Sequence, residues 1–488
     1  MEKPGQQDIA ELRERINADQ SILSDLKELL DYLPACEYEL IVFMVQKNTW
    51  QGFVPPPPSG FKAGNGSIEL GLILYWLKNP GQIDFSKFTA KEKKDILDFI
   101  DLVDFLLAPS QMTLPNYGFF TSNKELIYTD GSVLGTRKWA TYDQGWFIAF
   151  INLLESVVRV LWYSGEYLPT TTPPIIPLKG AVPGKVNIAI IGDWGTGDIV
   201  SKSIINQVTA LKPDYIVHVG DVYYAGTPLA SDPNGQYYFD PGEEQNNLLV
   251  QWPPAYAGRS FTLNSNHEMY SGANGLFYRA LAAKANPPGN GSPFSAQKGA
   301  SCFALQYAGW TILGLDSAYM ASISNAFMNG SIGGTSGFQG QWIQKLGLAP
   351  GKTIVLTHHN GFADDCTSVS PLWAEIKAAL KGDPYAWYWG HVHNGIVYNS
   401  PISIPGLSTK TFARCLGHAS LPYGPASSLN GKPIAYKANN LQPPPSKQLY
   451  NGFAMITLES ANNQLTGITE NFYDLSKVMQ PVWTKKIF

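Results

Sequence analysis

Three nearly unbroken apolar runs, at residues 186–191, 215–219 and 353–356, limit the fold of this chain more than any other feature. A strand with one face in water alternates apolar and polar side chains, whereas a run without alternation is covered on both faces. Such strands belong to sheets packed between other layers. Residues 261–263 and 386–389 are shorter candidates, and 301–307 with 310–315 flank Ala308-Gly309 as the two arms of a hairpin. Short polar motifs follow the runs: Gly192-Asp193-Trp194-Gly195, Gly220-Asp221-Val222-Tyr223-Tyr224, Asn266-His267-Glu268, Thr357-His358 and Gly390-His391-Val392-His393.

Those motifs carry chemistry. The spacing of Asp193 and Asp221 fits one strand–helix–strand unit, which sets both carboxylates at one edge of a parallel sheet. A glycine precedes each and lets the backbone turn sharply. One aspartate after a strand commonly caps a helix. Two in register, followed by histidines at three later strand ends, suit a pair of metal ions instead. In an extended segment residues i and i+2 share a face, so His391 and His393 converge on one side. All seven histidines lie beyond residue 217. Of the others, His218 reads as a core histidine within a buried strand, and His418 has no role assigned by spacing.

Length and composition bound the rest. A chain of 488 residues exceeds one ordinary core, so two or three domains are expected. With 44% hydrophobic and 15% charged residues it is compact rather than disordered. The net charge is −4 and no basic block exceeds Lys91-Glu92-Lys93-Lys94, which argues against a nucleic-acid surface. The chain start lacks an apolar signal region. The most apolar stretch, 146–163, is interrupted by Asn152, Glu155 and Arg159, so it reads as a buried or amphipathic helix and not a membrane span. Cys36, Cys302, Cys366 and Cys415 are too scattered for a disulfide framework or a cysteine zinc site. A cytoplasmic protein is the expectation.

The first third reads as helical. Ile9, Leu12, Ile16, Leu23, Leu26 and Leu30 form one stripe. Thr89 and Glu92 make a capping-box pattern ahead of a second, from Ile96 to Leu107, and Phe147 to Leu161 repeat the periodicity. A proline-rich segment at 169–177 cannot continue a helix. The expected division is therefore a helical domain over 1–178, ending in that linker, and a second domain over 179–488. The helical part carries no histidine, cysteine pair or phosphate loop, and reads as a packing or protein-interaction domain. Long loops at 226–247, 284–300 and 321–340 suit functional rims, and Tyr237, Tyr238 and Phe239 are candidates for an aromatic wall.

The ordered set G-D-x-G, G-D-x-x-Y, N-H-E, V-x-x-H and G-H-x-H resembles the calcineurin-like metallophosphoesterase superfamily, most closely its purple acid phosphatase branch. Gly195 stands where other members commonly carry a metal-binding histidine, and Tyr224 where the branch has a phenolate ligand to ferric iron. The resemblance spans about residues 185–475. It implies an α/β fold, a four-layer α/β/β/α sandwich of two stacked mixed sheets flanked by helices. It also implies two metal ions, iron with iron, zinc or manganese. Asp193, Tyr224 and His393 would hold the first and Asn266, His358 and His391 the second, with Asp221 bridging.

His267 would then hydrogen-bond the phosphoryl group or protonate the leaving oxygen, with Glu268 orienting it. His359 would face either the substrate or the back of the ligands. Ser265 stands where the family usually has glycine, and the branch's N-terminal β-sandwich is replaced by helices. The implied activity is hydrolysis of a small phosphate monoester by a metal-activated hydroxide. A phosphodiesterase or pyrophosphatase on the same metals is the alternative, and a non-catalytic metal-containing scaffold the third reading.

Overall fold

The computed structural model describes Ala149, Asn152 and residues 172–232, 241–321, 327–421, 429, 431–439 and 449–488. The helical stripes expected before residue 162 lie outside the described residues, save Ala149 and Asn152, which are helical and buried. So do Tyr237, Tyr238 and Phe239. No helix among the described residues is long and apolar enough to cross a membrane.

In chain order the elements are β1 (Ile175–Pro177), β2 (Lys185–Ile191), α1 (Ile199–Ala210), β3 (Tyr215–His218), β4 (Ser260–Thr262), α2 (Asn266–Met269), β5 (Phe303–Tyr307), β6 (Trp310–Gly314), α3 (Phe338–Leu346), β7 (Thr353–Thr357), α4 (Pro371–Leu380) and β8 (Ala386–Trp389). There follow β9 (Gly395–Tyr398), β10 (Ile402–Ile404), β11 (Leu407–Thr409), β12 (Phe412–Leu416), β13 (Ile434–Lys437), β14 (Gly452–Ala461), β15 (Gln464–Asp474) and β16 (Trp483–Lys486). One mixed sheet runs β16-β15-β14-β2-β3-β4 and the other β1-β5-β6-β7-β8-β12-β9-β13, with β10 and β11 as a small separate pair.

The apolar runs are explained by two-sided burial. In β7, Ile354 and Leu356 join the core between the sheets, and Val355 packs on the opposite face. In β8, Ala386 and Tyr388 face inward, while Trp387 and Trp389 meet Trp373 and Ile376 of α4 and Ile343 of α3. Across the interior stand Val186, Ile188 and Ile190 of β2 and Val217 of β3. The parallel pair β2–β3 is linked through α1, and since the inner face of that sheet is occupied, α1 covers the outer one. Asp198 caps α1 by accepting from Val200 and Ser201 N–H, both at 3.0 Å.

The sheet also reaches ahead of residue 179, because Ile175–Pro177 pairs with β5 in parallel. Proline is tolerated there because β1 is an edge strand, bonded on one side only. One ion pair ties the two sheets together. Arg414 of β12 donates to Glu470 of β15 at 2.8 and 2.7 Å, and the Tyr388 hydroxyl donates to the same carboxylate.

Candidate metal centre

Each polar motif sits where a parallel strand ends. Asp193 follows β2, Asp221 follows β3 and Asn266 follows β4, three adjacent strands of one sheet. His358 follows β7, and His391 and His393 follow β8, neighbours in the other sheet. The two edges meet closely enough that glycine is required between them. A Cβ on Gly220, whose φ is +100°, would lie 2.9 Å from His358 Nδ1, and one on Gly390 would lie 2.4 Å from Asp193 Oδ2. Asp193, Asp221 and His391 themselves have φ of 57°, 77° and 65°, a conformation side-chain-bearing residues hold only under tertiary constraint.

The side chains form two donor groups that share one residue. In the first, Tyr223 Oη lies 2.6 Å from Asp221 Oδ2, 3.2 Å from Asp193 Oδ1 and 3.3 Å from His393 Nε2. In the second, His358 Nε2 lies 3.2 Å from Asp221 Oδ1 and 2.8 Å from Asn266 Oδ1, with His391 Nδ1 3.1 Å from that amide oxygen. Donors about 2.1 Å from one ion stand about 3.0–3.4 Å from each other. The 2.6 and 2.8 Å contacts are hydrogen-bond distances. The ligand atoms of Asp193, Asp221 and His358, and those of His358, His359 and His391, lie within 4.8 Å of one another, close enough to hold a cation.

The hydrogen bonding shows why protons alone do not satisfy this site. His358 Nδ1 lies 2.9 Å from the Val219 carbonyl and its Nε2 2.8 Å from the Asn266 amide oxygen, so both ring nitrogens face acceptors. Burial pulls its pKa down to about 3, and the neutral ring has a single N–H to offer two acceptors. With that proton on Nδ1, lone pairs of Nε2, Asn266 Oδ1 and Asp221 Oδ1 face one another. Asp221 Oδ1 is buried and has no hydrogen-bond partner; its 3.2 Å approach to His358 Nε2 is contact without a shared proton. Burial and then Asp221 push the Asp193 carboxyl well above its usual range. Among the described residues no lysine or arginine pairs with either carboxylate. A cation between the lone pairs resolves all of these contacts.

Residues 186–395 match the family described as calcineurin-like phosphoesterase. The chain carries a calcineurin-like phosphoesterase domain. No curated protein matches this chain. Among solved structures, "GAP50 the anchor in the inner membrane complex of Plasmodium" is similar at 15% identity and a TM-score of 0.42, covering 62% of this chain and 88% of that one. "Structure of PhoD" follows at 11% and 0.37, covering 64% and 70%, and a hypothetical protein from Thermus thermophilus at 13% and 0.28, covering 59% and 99%. Likenesses this remote carry no argument about function.

Within the phosphoesterase domain, six of the seven ligands expected from sequence converge as described: Asp193, Asp221, Asn266, His358, His391 and His393. The seventh differs. The phenol beside the carboxylates belongs to Tyr223, where the expectation gave Tyr224. Gly195 N–H donates to the Asp221 carbonyl at 3.0 Å and Tyr223 N–H to the Gly195 carbonyl at 2.9 Å, a short bridge that ties the turn after β3 to the turn after β2. The Tyr223 hydroxyl donates to Asp221 Oδ2 and so turns toward the carboxylates. Tyr224 packs with Tyr223 and Leu421 and also contributes its backbone. Its carbonyl lies 2.6 Å from His267 Nδ1, and its N–H donates to Glu243 at 2.7 Å.

That carbonyl fixes the His267 ring with Nε2 toward the cluster, 3.9 Å from Asp221 Oδ2. His359 backs the ligands: its ring contacts the Ser317 hydroxyl at 2.9 Å and the Phe327 carbonyl at 2.7 Å, 4.7 Å from the His391 ring. His218 is a core residue held by Thr262 and packed edge-on to Trp194. His418 is buried against Gly395 and Gly452. Glu268 bonds the Ser265 hydroxyl. Glu243 has no sequence signal of its own, and it gathers the N–H groups of Tyr224, Ala225 and Thr227 into one loop.

Proposed function

We propose that this domain hydrolyses small phosphate monoesters at a pair of metal ions. Asp193, Tyr223 and His393 would hold one ion, Asn266, His358 and His391 the other, and Asp221 both. The supporting observation is the division of Asp221, one oxygen in each donor group and Oδ1 without a proton to accept. The phenol and carboxylates suit iron in the first position, with iron, zinc or manganese in the second. Two bound cations would polarise a phosphoryl group and acidify an attacking water.

The protein's own part is to bind and to move protons. His267 keeps one N–H on the Tyr224 carbonyl, so proton exchange is left to Nε2, on the side of the cluster. As imidazolium it gives that proton to the leaving oxygen: the N–H bond breaks, an O–H bond forms, and alcohol departs from inorganic phosphate. The rings of Tyr223 and Tyr270, at 4.5 and 4.9 Å, flank His267 and restrict it to this approach.

The test is elemental analysis of the purified protein followed by parallel assays on p-nitrophenyl phosphate and bis(p-nitrophenyl) phosphate. Two ions per chain and faster monoester turnover are expected. Preference for the diester, or for pyrophosphate, would replace the monoester reading. Two bound ions without turnover would favour the scaffold. With ferric iron bound, a visible charge-transfer band is expected to vanish in Tyr223→Phe and survive in Tyr224→Phe. The reverse pattern would restore Tyr224 as the ligand.

A further inference from the structure

Tyr270 lies four residues after Asn266 and so over the same face of the turn. Asn266 Nδ2 donates to Tyr270 Oη at 3.0 Å and more weakly to Met328 Sδ at 3.8 Å, and Tyr270 Oη in turn donates to Met328 Sδ at 3.7 Å. The two ends of a carboxamide are alike in shape and opposite in polarity, so its hydrogen-bond partners decide which end points inward. With the hydroxyl proton directed to sulfur, Tyr270 presents a lone pair to Asn266. That draws the NH2 group outward and turns Oδ1 to His358 Nε2 and His391 Nδ1, at 2.8 and 3.1 Å. A reversed amide would aim two N–H donors at the same point and repel a cation.

We infer that Tyr270 is a positioning residue for the second ion, acting by fixing the orientation of the Asn266 amide. The inference rests on the two-ion reading above, in which the Tyr270 ring flanks His267, and gives its hydroxyl a separate task. It predicts an effect confined to one ion, because the contacts of Tyr223 with Asp193, Asp221 and His393 do not involve Tyr270. The hydroxyl, rather than the ring, carries the effect.

The experiment titrates Zn²⁺ into metal-free protein against a chromogenic chelator, comparing the unmodified chain with Tyr270→Phe and Met328→Leu. Tyr270→Phe keeps the ring beside His267, and thermal melting of the metal-free forms checks that it folds. The expected result is one class of site unchanged and the other weakened about 10- to 100-fold, the usual cost of losing a group that orients a ligand. Met328→Leu, at a residue 47% exposed, is expected to give a smaller shift in the same direction, since thioether sulfur is a weak acceptor. Unchanged binding of both ions by Tyr270→Phe would overturn the inference and leave the two-ion reading standing. Uptake of fewer than two ions by the unmodified protein would overturn both.

Discussion

Two of the places where this domain buries charge do it in opposite ways. Between the sheets, Arg414 and Glu470 meet through two hydrogen bonds, with the Tyr388 hydroxyl and the Tyr398 carbonyl taking what remains. At the strand ends, Asp193 and Asp221 stand together beside His358, His391 and His393, whose pKa values burial lowers, with a buried carboxylate oxygen unpartnered. The first arrangement is complete within the chain. The second leaves two carboxylates with no lysine or arginine partner among the described residues, beside clustered ligand atoms that could hold a metal ion. It is this grouping, not the count of charged residues, that sets it apart from a structural ion pair.

The sharpest test of that contrast is Asp221→Asn. It removes the carboxylate common to both donor groups, so hydrolysis should fall by about 10³-fold or more and metal content should drop with it. In the metal-free protein the same change relieves repulsion between two buried carboxylates, so its melting temperature should hold or rise. A large loss of stability in the metal-free form would show that Asp221 is satisfied by the protein alone.

The ion pair should behave the other way. Glu470→Leu strands the Arg414 guanidinium in the interior and should cost about 3–5 kcal/mol in chemical denaturation. Arg414→Met combined with Glu470→Leu should recover most of that loss, because two apolar side chains leave no charge uncompensated. Neither change touches a donor of the metal centre, so metal content per folded molecule should stay the same. If the double variant is as unstable as the single one, the pair is worth more than the absence of a penalty.

How far the sequence shows these two sites differs for a physical reason. Strand ends are legible because burial on both faces erases alternation, and a polar motif then marks where each strand stops. Residues 353–356 and 386–389 read in this way, and the strands are Thr353–Thr357 and Ala386–Trp389. The hairpin at Ala308-Gly309 has positive φ at both turn residues, as its type requires. The ion pair has no such mark, since Arg414 and Glu470 lie far apart in sequence and look like ordinary charged residues. The hairpin of β14 and β15 is absent from the sequence reading, although Asn462-Asn463, at φ 51° and 59°, is a turn signal. Motif spacing points to Tyr224, whereas the hydroxyl found beside Asp221 is that of Tyr223, because the left-handed turn at Asp221 is not visible in the spacing.

A third buried titratable group tests how closed the interior is. Burial lowers the pKa of His218 to about 4, although Asp221 acts in the opposite sense, while the unfolded chain titrates near 6.5. A lowered pKa means that the unfolded state binds the proton first. The stability tied to neutral His218 is therefore full above pH 6.5 and is lost as the pH falls toward 4, by up to about 3 kcal/mol. His218→Asn can keep a hydrogen bond to Thr262 without taking up a proton. It should melt lower at pH 7 but show a flatter profile between pH 6.5 and 4. An unchanged slope would assign the acid sensitivity to the histidines of the metal centre instead.

The smallest effect concerns how the centre is held in place without charge. Ser265 has φ −139°, an extended conformation open to any residue, so the glycine usual at this position in the family is not required by the backbone. Its hydroxyl instead caps α2, accepting from His267 N–H at 3.0 Å while bonding the Glu268 carboxyl. Ser265→Ala should cost about 1 kcal/mol, and Ser265→Gly only a few tenths. Because the cap fixes the backbone that presents Asn266 and His267, Ser265→Ala should also lower turnover more than Ser265→Gly does. A larger loss in Ser265→Gly than in Ser265→Ala would mean that the packing of Ser265 Cβ beside Gly220, and not the cap, positions this turn.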